Sequence, residues 1–120
     1  MEDESLVQVI SSSREFHACL EDNKRCIVYF TASWCGPCRF IAPEFEKLAK
    51  EFGHAVAFLK VDIDEMSRLA SKHNISAVPT FLCFIGGEQL PGELVGADMA
   101  GLRAAAEQLA ASADSESDSD

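Results

Sequence analysis

The sequence is poor in basic residues and has no long apolar run. Ten Lys and Arg stand against twenty Asp and Glu, which gives a formal net charge of −10 over 120 residues. This balance argues against nucleic acid and anionic membrane surfaces as partners, because both repel an acidic protein. The longest uncharged stretch, from His73 to Gly87, is too short and too polar to span a bilayer. The segment from Met1 to Ser5 lacks the basic and apolar parts of a secretory signal, so we expect a soluble protein of the cytoplasm or nucleus.

Histidine is scarce, and the five cysteines include only one closely spaced pair. Cys35 and Cys38 are separated by Gly36 and Pro37, and Trp34 precedes them. The pair follows an apolar run typical of a buried strand and opens a segment with helical apolar spacing. The first amide groups of a helix lack intrahelical partners and carry the positive end of its dipole, so a thiolate at Cys35 is stabilised there. Because Cys38 lies one turn deeper, within reach of that sulfur, the pattern indicates redox chemistry in a reducing compartment.

Two other interpretations of this pair are weaker. A structural zinc site requires two further ligands, usually a second close Cys or His pair. The remaining candidates offer no suitable pair: Cys19, Cys26, Cys83, His17, His54 and His73. We therefore expect no bound metal. A purely structural disulfide would close a very short loop and constrain the unfolded chain little. Among the other cysteines, only Cys26, at the start of its strand, is a candidate for partial exposure and glutathionylation.

Apolar periodicity divides the chain into alternating strands and helices, in the order β-α-β-α-β-α-β-β-α. Ser12 and Glu15 predict a capping box at the first helix, and Pro43 predicts a kink inside the second. Asp64 and Asp98 are candidate caps of the third and fourth helices. Adjacent glycines between the last two strands indicate a hairpin. The predicted strands are residues 6–10, 26–31, 55–62, 81–85 and 89–95.

The last ten residues contain only Ala, Ser, Asp and Glu. Such a segment buries too little apolar surface to offset its ordering entropy. We therefore expect one folded domain over residues 1–110 and a disordered acidic tail over residues 111–120. Plain solvation is one role for this tail, and phosphorylation at Ser115 or Ser117, each with an acid three residues later, is the other.

The segment of residues 30–39 resembles the active-site segment of thioredoxins, most closely that of the cytosolic plant-type and thioredoxin-like branches. The resemblance extends over about residues 6–109. The family's helix-kink proline, buried lysine, cis-proline turn, hairpin glycine and groove glycine have counterparts in Pro43, Lys60, Val78-Pro79-Thr80, Gly87 and Gly96. The fold that this resemblance implies is α/β, a five-stranded mixed sheet with helices on both faces.

The resemblance also implies a protein-disulfide reductase. Cys35 would be the exposed nucleophile and Cys38 the resolving cysteine. The implied substrate groove consists of Trp34, Gly36, Pro37, Val78, Pro79 and Gly96. No cofactor would be bound, and electrons would come from a thioredoxin reductase with NADPH or from glutathione. The implied partners are disulfide-containing target proteins, and the implied state is a monomer.

Tyr29 departs from the family pattern. Six residues before the first cysteine, thioredoxins usually carry a buried Asp that helps to move the proton of the inner cysteine. A phenol has a pKa of about 10 that burial raises, so Tyr29 is not a general base at neutral pH, although its hydroxyl can relay a proton through water. Lys60 then loses its usual neighbour, and we expect it to turn outward. Both residues are candidate modulators of proton transfer, and a thioredoxin-fold adaptor with weak redox turnover stays open as an alternative function.

Overall fold

A single mixed sheet organises the chain in the computed structural model, which describes residues 6–117. Its strands are β1 (Val7–Val9), β2 (Arg25–Thr31), β3 (Ala57–Asp62), β4 (Thr80–Ile85), β5 (Glu88–Gln89) and β6 (Leu94–Val95). The strand order is β1-β3-β2-β4-β5, and β6 also pairs with β4. Strands β1 and β2 run parallel to β3, whereas β4 runs antiparallel to β2. The expected mixed α/β sheet is confirmed.

Helices cover both faces of this sheet: α1 (Ser13–Asp22), α2 (Gly36–Phe52), α3 (Ser67–Lys72) and α4 (Met99–Ser117). Helices α2 and α4 pack with Ile27 and Tyr29 of β2, and α1 and α3 pack with Cys26, Val28 and Phe30 on the opposite face. Because successive strand residues point to opposite faces, this packing explains why β2 is an uninterrupted apolar run. It also points Tyr29 towards α2. Within residues 6–117, no helix is long and apolar enough to cross a membrane.

Two of the three expected helix caps are present. The Ser12 hydroxyl accepts a hydrogen bond from the Glu15 backbone N–H at 3.0 Å, and Asp98 Oδ1 accepts one from the Gly101 N–H at 3.0 Å. Asp64 was expected to cap α3 and does not, because that helix begins after Met66 with no side-chain cap. The Asp64 carboxylate instead accepts a hydrogen bond from an indole N–H.

The last predicted strand, residues 89–95, is two short strands, β5 and β6. Pro91 and Gly92 lie between them. Pro91 has no N–H to donate to a ladder, and Gly92 has a φ of 89°, which is left-handed and outside the strand region. The hairpin therefore bends away after Gln89 and rejoins β4 at Leu94.

Helix α4 extends past residue 110, where the folded domain was expected to end, and is helical as far as Ser117. The disorder expected for residues 111–120 stays a prediction. Arg25 accounts for part of this extension, because its Nε donates to the Ser112 hydroxyl at 2.7 Å and its Nη2 donates to the Ser112 carbonyl at 3.2 Å. Residues 118–120 lie outside the described residues, and the phosphorylation of Ser115 or Ser117 stays a prediction.

Candidate active site

Cys35 lies where β2 has ended and α2 begins. Its backbone is extended, with φ −88° and ψ 110°, and it is the N-cap residue of α2. The Cys38 backbone N–H donates to the Cys35 sulfur at 3.1 Å. Gly36 and Pro37 occupy the exposed first positions of the helix, where the missing N–H of proline leaves no helical bond unmade. The local sequence thus places the Cys35 sulfur at the positive end of the α2 dipole.

Cys35 and Cys38 form a disulfide, with their Cα atoms 5.3 Å apart. The expectation that Cys35 would be the exposed member does not hold in this oxidised form, since Cys35 is 3% exposed and Cys38 is 2% exposed. The two cysteines differ instead in the residues that surround their sulfur atoms. Cys35 Sγ lies 3.6 Å from the Val78 carbonyl oxygen at the mouth of the site, whereas Cys38 faces β2 and β3.

The segment around Val78 forms the wall opposite the disulfide. The Val78–Pro79 peptide bond is cis, as the resemblance implied. The Gly96 backbone N–H donates to the Pro79 carbonyl at 2.8 Å, which holds the end of β6 against this segment. Gly96 has a φ of 103°, a conformation that side-chain-bearing residues rarely adopt. The predicted groove residues Val78, Pro79 and Gly96 are therefore brought together beside Cys35.

Trp34 forms the exposed flank of the site. Its side chain is 64% exposed, and its Nε1 donates to Asp64 Oδ2 at 2.8 Å. This bond ties the exposed ring to the turn that follows β3. The sequence did not reveal Asp64 as a partner of Trp34, because 30 residues separate them. The only available signal was that Asp64 lies two residues after the end of a buried strand, at the edge of the sheet where β2 also ends.

Tyr29 lies beneath the first turn of α2. Its side chain is buried between Phe81, whose ring stacks on it at 5.1 Å, and Phe45, whose ring centroid is also 5.1 Å away. Its hydroxyl donates to the Cys38 carbonyl oxygen at 3.0 Å. Burial raises the pKa of the Tyr29 phenol above its ordinary value. Tyr29 thus carries no negative charge at neutral pH and supplies no carboxylate to this site.

Lys60 does not turn fully outward. It is half-buried and pairs with Tyr29 across β2 and β3. Its side chain borders a cavity that Cys38 also lines. The structure therefore keeps the lysine near the inner cysteine.

The three other cysteines do not approach this site. Cys26 was a candidate for partial exposure, but it is buried, and its thiol lies 3.5 Å from the Asn23 carbonyl and 3.8 Å from the Cys19 carbonyl. Burial raises the pKa of Cys26 to about 12 and that of Cys83 to about 11. Burial also raises the pKa of Cys19. All three are therefore overwhelmingly thiols, not thiolates, at neutral pH.

Comparison with known proteins identifies this arrangement. The thioredoxin family model matches residues 7–108. An H-type thioredoxin of Oryza sativa subsp. indica is 48% identical over 91 residues, which cover 72% of this chain and 74% of that protein. A thioredoxin of Malassezia sympodialis is 43% identical over 106 residues, which cover 88% of this chain and all of that protein.

Solved structures agree with the sequence matches. The crystal structure of the M. sympodialis thioredoxin superposes with a TM-score of 0.83 at 40% identity, covering 92% of this chain and 96% of that one. The solution structure of oxidised thioredoxin from Plasmodium falciparum gives a TM-score of 0.79 at 38% identity, covering 87% and 98%. With a family match over nearly the whole described chain and a disulfide at the start of α2, the chain belongs to the thioredoxin family of thiol–disulfide oxidoreductases.

Proposed function

We propose that this chain reduces disulfides of target proteins, with Cys35 as nucleophile and Cys38 as resolving cysteine. The position of the Cys35 sulfur at the N-cap of α2, with the Cys38 N–H directed at it from 3.1 Å, carries the proposal. In the reduced protein, the same N–H and helix dipole favour the thiolate at Cys35. No comparable donor is directed at the Cys38 sulfur within residues 6–117.

The reaction has two exchange steps. The Cys35 thiolate attacks one sulfur of the target disulfide, a Cys35–target bond forms, and the other target sulfur leaves as a thiolate that takes a proton from solvent. Cys38 then loses its proton and attacks Cys35, so the Cys35–Cys38 bond forms and the second target sulfur leaves. Two electrons pass from the dithiol to the target, and the chain reaches the disulfide form that the structure shows. The second step is fast because the attacking sulfur is held one helical turn away.

The target segment would lie along Val78 and Gly96. The Val78 carbonyl faces the site and is available to an extended target segment, which gains affinity from main-chain hydrogen bonds. Two exposed apolar side chains lie near this edge, Trp34 next to Cys35 and Val95 next to Gly96. Val95 pairs with Thr80, next to Pro79, and was not singled out from the sequence. Such a rim favours apolar residues on either side of the target cysteine.

Electrons would be returned to the disulfide by a thioredoxin reductase with NADPH or by glutathione, and no bound cofactor is needed. A reducing compartment such as the cytoplasm suits a chain whose three remaining cysteines are free thiols. Target proteins would include peroxide-reducing thiol enzymes. In support, one similar chain, 27% identical with a TM-score of 0.80, comes from a study of how yeast mitochondrial 1-Cys peroxiredoxin is resolved through glutathione and thioredoxin systems.

The proposal is tested by trapping and by turnover. Cys38→Ser should accumulate a mixed disulfide between Cys35 and a peptide disulfide, detected by intact mass, whereas Cys35→Ser should form none. In the reduced wild type, iodoacetamide at pH 7 should modify Cys35 well before Cys38. Insulin reduction should proceed with thioredoxin reductase and NADPH as well as with dithiothreitol. Preferential labelling of Cys38 would reverse the role assignment, and turnover with dithiothreitol alone would exclude the reductase as electron donor and favour an adaptor.

A further inference from the structure

A cavity of about 260 Å³ lies on the inner side of Cys38, between the first turn of α2 and the ends of β2 and β3. It is large enough for several water molecules. Its lining includes Tyr29, Cys38, Arg39, Lys60 and Asp62. Asp62 is the one carboxylate among the residues of the described chain that line this space.

Strand pairing explains why these side chains share one face. Tyr29 pairs with Lys60 and Thr31 pairs with Asp62 across β2 and β3. Residues two apart on a strand point to the same side, so Asp62 projects to the face that holds Tyr29. Asp62 thus places a carboxylate on the strand next to that of Tyr29, two residue pairs further along the ladder.

Tyr29 itself is not suited to accept the Cys38 proton. Its hydroxyl proton is directed at the Cys38 carbonyl oxygen at 3.0 Å, and burial holds the phenol in its neutral form. Lys60 and Arg39 are cations and offer no acceptor at neutral pH. A proton acceptor in this cavity is therefore either water alone or water backed by Asp62.

Hydrogen bonds from the turn after β3 fix the orientation of the Asp62 carboxylate. Its Oδ1 accepts hydrogen bonds from the backbone N–H groups of Asp64 and Glu65, at 2.8 and 3.2 Å. No hydrogen bond to its Oδ2 occurs within residues 6–117. The turn fixes the carboxylate through one oxygen and leaves the other for cavity water.

We propose that Asp62 accepts, through cavity water, the proton that Cys38 loses when it releases a bound target. This inference rests on the proposed function, since it concerns the second exchange step. The proton passes from Cys38 Sγ to water, from water to the Asp62 carboxylate, and then to bulk solvent. The resulting Cys38 thiolate forms the Cys35–Cys38 bond, and the target sulfur leaves with the electron pair of the broken bond. Asp62 touches neither sulfur, so it acts as a positioning residue for the water.

The titratable and charged groups around Asp62 determine how the effect of removing its carboxylate is interpreted. They are Tyr29 from β2, Lys60 from β3, Cys38 and Arg39 from α2, and Asp64 and Glu65 from the turn after β3. A negative charge that acted on Cys38 only through space would disfavour its thiolate. Removing that charge would therefore speed the release step, whereas removing a proton acceptor would slow it. The two roles predict opposite changes.

Asp62→Asn is the test variant, because asparagine keeps an Oδ1 acceptor for the turn and removes the base. The reduced protein is mixed with an excess of a fluorescence-quenched peptide disulfide, and the mixed disulfide forms at a rate proportional to peptide concentration. Release is the phase that does not depend on that concentration. We expect Asp62→Asn to slow release roughly tenfold at pH 6.5 and to leave the concentration-dependent attack unchanged. The release rate of Asp62→Asn should then rise about tenfold per pH unit, as expected for a step whose rate is proportional to the fraction of Cys38 thiolate. The release rate of the wild type should rise less steeply with pH.

Glu65→Gln is the matched control, since it removes the same charge from an exposed side chain outside the cavity. It should leave both phases unchanged. Near-ultraviolet circular dichroism of the oxidised forms checks that Asp62→Asn is folded. Asp62→Ser also lacks the carboxylate, and its hydroxyl can accept the hydrogen bonds of the turn, so the release measurement is repeated with this second variant. Equal release rates and equal pH slopes in wild type and Asp62→Asn would overturn the inference, as would faster release. Failure of Cys38→Ser to form a mixed disulfide would instead overturn the proposed function.

Discussion

The Tyr29 hydroxyl donates a hydrogen bond to the backbone carbonyl oxygen of Cys38, 3.0 Å away. This bond joins the middle of β2 to the first turn of α2. The Tyr29 ring is held in turn between Phe45 and Phe81. Tyr29 therefore anchors the backbone of the inner cysteine.

Tyr29→Phe should destabilise the oxidised protein by about 1 kcal/mol, the usual contribution of one neutral hydrogen bond. The ring stays, so its contacts with Phe45 and Phe81 should persist. Urea unfolding at pH 7 measures the loss, and Tyr29→Leu, which also removes the ring contacts, should lose more. The release step of Tyr29→Phe should keep the pH dependence of the wild type. A change in that dependence would show that the hydroxyl does relay the Cys38 proton.

Much of the fold could be predicted because its signals are local. The uninterrupted apolar run of β2, the Ser12–Glu15 cap and the helical spacing after Cys38 each depend on neighbouring residues. The Cys35–Cys38 pair could be predicted for the same reason, since three residues of helix fix the distance between its Cα atoms. The family resemblance supplied the cis bond before Pro79, which no local pattern would have shown.

The features that sequence reasoning missed depend on contacts between distant segments. Asp64 bonds to Trp34 across 30 residues, and Ser112 bonds to Arg25 across 87. The position of Asp62 in the cavity that Cys38 also lines depends on the register between β2 and β3. From residue type alone, Asp64 was assigned a local role as a helix cap and Ser112 a place in a solvated tail, while Asp62 was assigned no role. Their actual positions depend on contacts with residues that are distant in the sequence.

The three free cysteines should be slow to react in the native protein. Cys19 and Cys26 are buried, Cys83 is half-buried, and burial raises the pKa of each thiol. With the Cys35–Cys38 disulfide intact, alkylation by iodoacetamide at pH 7.5 should be at least about a hundredfold slower than that of free glutathione, because so little thiolate is present. All three should react readily in concentrated urea, as peptide mass spectrometry would show. Rapid native labelling of Cys26 would revive its role as a glutathionylation site.

Arg103 links α4 to α2 through two hydrogen bonds to Glu51, at 2.9 and 3.2 Å, with Glu44 at 3.9 Å. The bonds to Arg103 hold the pKa of the Glu51 carboxyl below its ordinary value of about 4.5. A carboxyl with a lowered folded-state pKa contributes stability that is present above about 4.5 and lost as the pH falls through the folded-state value.

Arg103→Gln should therefore lower the urea midpoint at pH 7, by less than Tyr29→Phe does because the pair is exposed and screened. The difference from the wild type should shrink as the pH falls below about 4, and also in 1 M salt. Arg103→Lys is the matched control, since it keeps the charge but not the paired geometry, and its loss should be intermediate. If the difference in urea midpoint between Arg103→Gln and the wild type stayed constant down to pH 3, the loss of stability would be due to side-chain packing and not to the ion pair.

The C-terminal boundary of the folded unit should lie between residues 110 and 113. Arg25 is 7% exposed, and two of its N–H groups bond to Ser112. The Ser112 hydroxyl in turn donates to the Leu109 carbonyl at 2.7 Å. A variant that ends at Ala113 keeps these contacts, whereas one that ends at Ala110 removes two acceptors from a nearly buried guanidinium.

Ending the chain at Ala110 should thus cost about 1.5–3 kcal/mol, the range for hydrogen bonds to a charged group, while ending it at Ala113 should change stability by less than about 0.5 kcal/mol. Urea unfolding of the two variants beside the full chain measures the contrast. The new carboxylate at residue 110 could itself approach Arg25, so Ser112→Ala in the full chain provides a second measurement and should lose about 1 kcal/mol. If all three variants matched the full chain, residues 111–113 would belong to the solvated tail, and the boundary expected from composition at residue 110 would stand.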